Sequence, residues 1–334
     1  MLVPAPAALF TSRCKFVPPL LAKLLYELLE SRTDDACMYL SGTKLFAQDF
    51  ASDDRLIAPQ QLSKLVNNAL RCADQELGFL LGQRLIQSSD PLAQLLNAQT
   101  NIIQALASLR CYQALWQVPI HYEGQVSDGQ FHLNSWEILP QHDLNDFWRQ
   151  VSAAALSGWC RHRQIDIYWQ LPSHLQPQHR LWQRYLGLNI TYGHPHLRAT
   201  MALPSAKHQA PSPDLTMQQL NKQCQHSMSK LPLGHYILNA VYEQLAGNAH
   251  VSLEQVALHF GMSSSSLKRK LKDEGTNFSQ LQDNYNRHQA LHLAIDLNWS
   301  NAQMASYFEI SDINNFRRAF KRWTGRNPSQ LKQA

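Results

Sequence analysis

The sequence predicts an α+β N-terminal domain followed by an all-α C-terminal domain with two helix-turn-helix motifs joined by a long helix. Three observations carry that reading. At 334 residues and 44% apolar content, the chain is about two domains long and has material for a core in each. Hydrophobic spacing alternates between a helical and a strand period as far as residue 204, and is helical beyond it. Near the C-terminus one helix–turn–helix pattern occurs twice at an almost fixed offset.

The elements follow in order. "VPPLLAKLLYELL" (17–29) suits a short helix with Pro18 and Pro19 at its start. Residues 59–86 carry two more helical patterns, with Leu62, Leu65, Val66 and Leu70 at helical spacing. Residues 91–117 are helical again. "VPIHYEGQV" and "QFHLNSWEI" then flank Ser127-Asp128-Gly129, a turn signal that predicts a hairpin near 118–138. Helical spacing returns over 143–163, "QIDIYWQL" (164–171) alternates like a strand, and "HRLWQRYLGL" is helical before a further strand and the breaker "GHPH" at 193–196. This defines a domain over 1–204. "LPSAKHQAPSPD" (203–214), with three prolines, reads as a linker, and the linker region is set at 205–232. Helices are expected at 215–229 and 233–246, and the C-terminal domain over 233–334.

The repeat appears when "VALHFGMSSSSLKRKL" (256–271) is placed over "MASYFEISDINNFRRAF" (304–320). Val256/Met304, Ala257/Ala305, Phe260/Phe308, Met262/Ile310 and Ser263/Ser311 share one offset. After one inserted residue, Leu267/Phe316, Arg269/Arg318 and Leu271/Phe320 follow. Two helices crossing steeply need a small residue at closest approach, and Ala257 and Ala305 supply it. Gly261 suits a tight left-handed turn. Ser263 and Ser311 can accept from the orphan N–H groups of the helices they precede. Val256, Phe260, Leu267 and Leu271 then form one small core, and Met304, Phe308, Phe316 and Phe320 a second. Between the copies, "FSQLQDNYNRHQALHLAIDL" (278–297) lacks Gly and Pro and makes a rod of roughly 28 Å. B-DNA repeats its major groove about every 34 Å, so such a rod can hold two reading helices one turn apart.

Charge points the same way. From Ser263 to Ala334 there are eleven Lys and Arg against six Asp and Glu, which accounts for the whole net charge of +5. A basic surplus confined to the last fifth of the chain favours a polyanion partner. The bland alternative is a solvated basic helix face.

Other classes are disfavoured. The six cysteines are scattered without a C-x-x-C pair, so zinc and a disulfide framework are not expected, and the reading is a reducing cytosol with ordinary buried thiols. The start, "MLVPAPAALFTSRCKF", is broken by Pro4 and Pro6 and lacks a basic region, so it does not read as a signal peptide. No apolar run of about twenty residues is present for a membrane span. There is no G-x-S-x-G, P-loop, G-x-G-x-x-G after a strand, or H-E-x-x-H. His194 and His196, beside a proline turn, read as loop residues rather than metal ligands. No catalytic residue, cofactor or metal is expected.

The C-terminal residues resemble the DNA-binding domain of the AraC/XylS family of bacterial transcription regulators. The likeness covers roughly 235–332 and includes "SLEQVALHFGMSSSSLKRKLKDEGTNFSQL" and the closing "FRRAFKRWTGRNPSQL". The N-terminal 200 residues resemble the arabinose-binding-like effector domain of the ornithine-utilisation and virulence-regulator branch. There the cues are "ELGFLLGQRL" (76–85), the hairpin after it, and "LWQRYLGLNITYGHPHLRATMALPS" (181–205). The resemblance implies a cytoplasmic, sequence-specific regulator, an activator, with double-stranded DNA and RNA polymerase as partners. It also implies that residues 1–204 bind a small-molecule effector and form a homodimer. A regulator without an effector, or an enzyme domain fused to a DNA-binding tail, are the alternatives. The six tryptophans at 116, 136, 148, 159, 169 and 182 could line an apolar ligand pocket or simply build core.

Family positions that read bases fall on Ser265, Lys268 and Arg269 in the first reading helix and on Ile313, Asn314 and Arg317 in the second. Lys or Arg can donate to G O6/N7, Asn314 could pair with adenine, and Ile313 could meet a thymine methyl. Ser264, Lys272, Arg318, Lys321 and Arg322 are the expected phosphate contacts, which position without specifying. Three departures stand out. Glu309-Ile310 replaces the usual Gly-Phe of the second turn, Asn286 replaces a basic residue of the connector, and Ser264, Ser265 and Ser266 are short where larger side chains often reach bases.

Overall fold

The computed structural model describes residues 17–33, 35–50, 55–72, 75–139, 144–203, 215–231, 237–248 and 250–331. They divide into two compact units, Met1–Glu137 with Gln141–Tyr236, and Ile138–Pro140 with Ile237–Ala334.

In the first unit, α1 (Leu20–Glu30) is apolar almost all round and buries Leu21, Leu25 and Leu29. Helix α2 (Pro59–Cys72) buries Leu62, Leu65, Val66 and Ala69 on one stripe, as helical spacing demands. Helices α3 (Leu77–Gln87) and α6 (Asn145–Arg161) form the central pair. Their backbones meet so closely that a Cβ on Gly82 would lie 2.2 Å from the Val151 carbonyl oxygen; only glycine fits there. The helical stretch expected over 91–117 is two helices, α4 (Pro91–Ala98) and α5 (Ile102–Tyr112). Asp90 caps the start of α4, accepting from the N–H groups of Leu92 and Ala93, and the break at Gln99–Asn101 comes where Asn101 caps α5, accepting from the N–H of Ile103.

A five-stranded sheet completes the unit in the order β1-β2-β5-β3-β4. Strands β1 (Ile120–Ser127) and β2 (Gln130–Glu137) pair antiparallel from Ser127 opposite Gln130 to Ile120 opposite Glu137. Asp128 (φ 52°) and Gly129 (φ 73°) turn the hairpin, and two positive φ values match the primed turns that suit twisted strands. Strand β3 (Tyr168–Leu171) begins later than 164 because Gln164 is left-handed, φ 54°. It reaches the parallel β4 (Ile190–Tyr192) through α7 (His179–Leu186), the helical crossover that parallel neighbours need. Strand β5 (Leu197–Ala202) lies antiparallel between β2 and β3.

All six tryptophans of this unit are buried. The cysteines differ from expectation: Cys160 and Cys224 are buried, but Cys37 and Cys111 are exposed. The proline-rich stretch 204–214 lies outside the described residues. Residues 215–229 do not behave as a linker. They form α8 (Leu215–Ser229), whose Leu220 and Cys224 are buried in the core of the first unit.

The second unit is entirely helical among the described residues, as the sequence predicts: α9 (Ile237–Gly247), α10 (Leu253–His259), α11 (Ser264–Asp273), α12 (Phe278–Ile295), α13 (Asn301–Tyr307), α14 (Ile313–Thr324) and α15 (Pro328–Leu331). Among the described residues no helix is long and apolar enough to cross a membrane.

Candidate nucleic-acid interface

The two helix–turn–helix copies match atom by atom at their ends. Ser252 opens α10 with a reciprocal box: its hydroxyl accepts from Gln255 N–H at 3.2 Å, and its own N–H donates to the Gln255 side chain at 2.7 Å. Ser300 and Gln303 repeat both bonds at the start of α13, at 3.3 and 2.8 Å. This S-x-x-Q repeat shares the offset of the aligned residues and was legible in the sequence, though the alignment above begins four residues too late to include it.

Both turns close the same way. Gly261 (φ 62°) donates to Leu258 O and Met262 to Ala257 O, each at 2.9 Å. Glu309 (φ 51°) donates to Ser306 O at 3.1 Å and Ile310 to Ala305 O at 2.9 Å. The double bond of this helix-ending motif normally selects glycine at the left-handed position, and the second turn holds a glutamate there. Its carboxylate lies 3.7 Å from the His250 ring.

Of the two basic helices, α11 starts where expected and α14 does not. Ser263 does cap α11, accepting from Ser266 N–H at 3.2 Å. Ser311 is not the cap of α14. Asp312 is, accepting from the N–H groups of Asn314 and Asn315 at 3.1 and 3.2 Å. The inserted residue therefore sits in the second turn, before the cap, and Ser311 is that residue. From the caps onward the copies correspond as Ser264/Ile313, Ser265/Asn314, Lys268/Arg317, Arg269/Arg318 and Lys272/Lys321.

That register fixes two like faces. Leu267 and Leu271 are fully buried, as are Phe316 and Phe320. Opposite them, Ser265, Lys268, Arg269 and Lys272 are exposed at i, i+3, i+4 and i+7, and Asn314, Arg317, Arg318 and Lys321 repeat the spacing. Of the eleven residues predicted to touch DNA, only Ser264 and Ile313 are half-buried. Ile313 packs against the second core, so it is a packing residue at least as much as a free reader. The Ser265 hydroxyl is 3.0 Å from that of Ser263 and is engaged at the helix start. Arg322, 65% exposed, pairs with Asp283 at 3.2 Å; among the described residues it is the one ion-paired cation on the two faces.

The cores beneath hold these faces in place. Ala257 and Ala305 are buried where α10 meets α11 and α13 meets α14. Phe308 packs on Trp323 at 4.8 Å and on Phe316 at 6.3 Å, and the Trp323 indole donates to Asp283 of α12 at 3.1 Å. Phe260, expected in the first core, is only half-buried because it ends α10 beside the His259 ring. The connector α12 is about 27 Å long and more than a one-sided rod. Every residue from His288 to Ala294 is buried, which is almost two turns without a solvent face. Two of its polar members are anchored: Asn284 donates to Ile138 O at 3.0 Å, and His292 meets Asp296 at 2.6 Å. Asn286 is half-buried on the same helix. Glu274, buried at the end of α11, has its carboxyl pushed up to about 7 by burial and by Asp273, with Lys270 opposing.

His194 and His196 are loop residues: the His194 ring meets the His196 backbone, its Nδ1 lying 3.2 Å from the N–H that donates to it. Among the described residues no group of three or more His, Cys, Asp or Glu side chains could hold a metal.

Comparison with known proteins agrees with this geometry. Residues 256–334 match the family model of a helix-turn-helix domain. The ornithine utilization regulator of Pseudomonas aeruginosa is 24% identical over 277 residues, covering 79% of this chain and 80% of that protein. The HTH-type transcriptional regulator VqsM of the same organism is 26% identical over 83 residues, 25% of this chain and 26% of that one. Among solved structures, the transcriptional regulator CdpR of Pseudomonas aeruginosa aligns over 81% of this chain and 91% of that chain, at 18% identity and a TM-score of 0.37, a likeness too distant to inform the fold.

Proposed function

We propose that this chain, a DNA-binding transcription regulator whose C-terminal helices form a helix-turn-helix domain of the AraC type, grips two successive major grooves with one polypeptide. The observation that carries the proposal is the pair of like faces on α11 and α14, each with three exposed cations at i, i+1 and i+4 after a capped helix start. Lys268, Arg269, Asn314 and Arg317 are the direct readers, with Ser265 and Ile313 as smaller neighbours at the helix starts. Lys272, Arg318, Lys321, Arg322 and Ser264 meet phosphate. Because Arg269 and Arg318 occupy equivalent places, their division into reader and phosphate contact is a statement about how deeply each helix enters its groove.

The regulatory half of the reading is supported by the separate first unit and by the resemblance of its sequence. The first unit, 1–204 together with α8, takes a small-molecule effector and forms a homodimer, and the whole acts in the cytoplasm as an activator that contacts RNA polymerase. The relatives are regulators by name, which supports a regulator over an enzyme fused to a DNA-binding tail.

Genome-wide mapping of bound DNA followed by footprinting tests the clamp. The expected sites contain two half-sites centred about 10–10.5 base pairs apart. Protection of a single half-site per chain would overturn two-groove binding. Thermal-shift screening of the full chain against metabolites tests the effector. Stabilisation by none would favour regulation by concentration alone.

A further inference from the structure

We infer that the first unit binds a small uncharged molecule, an apolar body bearing one hydroxyl, in the cavity beneath α5, with the Tyr122 and Ser152 hydroxyls as its polar anchor. This names the effector class and rests on the effector reading above only for its regulatory meaning.

The cavity encloses about 60 Å³. That is the space open to water centres, room for several waters or a small ring. Its walls are Ile86 of α3, Leu96 of α4, Leu133 of β2, and Leu156 and Trp159 of α6. Helix α5 covers it with Ile102, Leu106 and Leu109. That helix is the least anchored wall: only Ile102 and Ala105 of its eleven residues are buried, and Ile103 is 44% exposed. Entry is therefore beneath α5.

The chemistry of the lining selects the ligand. No charged side chain faces the cavity, and an ion stripped of water there would stay unpaired, at a cost no apolar contact offsets. The indoles are already committed, Trp159 Nε1 to Leu96 O at 2.7 Å and Trp116 Nε1 to Asp90 at 2.9 Å. One polar spot remains. The Tyr122 hydroxyl donates to Ser152 Oγ at 3.0 Å, and burial pushes its phenol up to about 12, so it stays protonated at neutral pH. The tyrosine oxygen keeps its lone pairs and the serine proton is free to turn. The pair thus offers one acceptor and one donor side by side, the complement of a ligand hydroxyl.

Calorimetric titration of the full chain with benzyl alcohol, and with benzoate and benzylamine of similar size, tests this. Benzyl alcohol should bind saturably at one site, and both ions about tenfold or more weaker. Ala155→Leu and Ala105→Leu, which fill the cavity from two sides, should remove benzyl alcohol binding. Ser152→Ala, which deletes a single oxygen, should weaken it about two- to tenfold, with the melting temperature of the free chain measured alongside. Equal binding of benzoate, undiminished binding in the filled variants, or no saturable binding to the wild type overturns the proposal. If a charged metabolite stabilises wild type and Ala155→Leu alike, the cavity is refuted while effector control survives. If no small molecule of any charge stabilises the chain, both fail.

Discussion

Glu309 holds a backbone conformation that glycine adopts freely, and the matched turn provides its own control. Left-handed backbone costs a residue with a Cβ about 1–2 kcal/mol, and glycine gives back about 0.4–1 kcal/mol of that through the greater freedom of its unfolded chain. Glu309→Gly should therefore stabilise the C-terminal unit by about 1 kcal/mol. The Glu309 carboxylate is 72% exposed and 3.7 Å from His250, so losing that pair subtracts almost nothing. Gly261→Ala is the mirror experiment. A Cβ there meets nothing within 4 Å, so its penalty is backbone strain alone and should be of similar size and opposite sign. For a domain of this length about 1 kcal/mol moves the melting temperature by roughly 4–8 °C. Scanning calorimetry of the full chain should show one transition rising in Glu309→Gly, the same transition falling in Gly261→Ala, and near-cancellation in the double variant. A fall in Glu309→Gly would refute the strain argument.

Four further outcomes are expected. Arg269→Ala should cost about 1–3 kcal/mol on a specific site and relax its specificity, whereas Lys321→Ala should weaken all sequences and flatten the salt slope by about one unit; equal losses on specific and random DNA for Arg269→Ala would reject its reading role. Glu274 binds its proton more tightly folded, at about 7, than unfolded, at 4.5. Its contribution is thus full below pH 4.5 and lost as the pH rises through 7, by an amount on the order of 3 kcal/mol. Urea midpoints at pH 5 and 8 should differ in the wild type and converge in Glu274→Gln. Phe316→Ala, at a fully buried site between Phe308 and Phe320, should destabilise by about 3–5 kcal/mol and abolish DNA binding at 37 °C. Ile313→Ala should lower stability and DNA affinity together by about 1 kcal/mol each, which a pure base reader would not do.

Sequence periodicity located nearly every helix, because stripes such as Leu62, Leu65 and Val66 are buried on one side. Leu70, expected with them, is half-buried, and Ala69 is buried in its place. Boundaries set by single hydrogen bonds were less visible. The Asn101 cap splits the expected helical stretch into α4 and α5, and nothing in the spacing of apolar residues marks the split. The repeat revealed both motifs because packing requires Ala257 and Ala305, Leu267 and Phe316 to recur. The exact place of the inserted residue was hidden, since Ser311 and Asp312 are both able caps and only the backbone geometry chooses. Burial of α8 was illegible for another reason: two well-spaced contacts, Leu220 and Cys224, give a weak pattern beside a proline-rich stretch. The polar interior of α12 defeats periodicity altogether, because Asn284, His288, Gln289 and His292 are buried against all compositional expectation.

That interior has a consequence for the DNA. A helix enclosed through almost two turns resists sliding and bending, which favours a constant spacing between α11 and α14. One base pair added between half-sites rotates one half-site by about 35° relative to the other. A connector that keeps this length would leave the duplex to absorb the error by twisting. If the two-groove reading holds, operators would be measured by length as strictly as they are spelled by sequence.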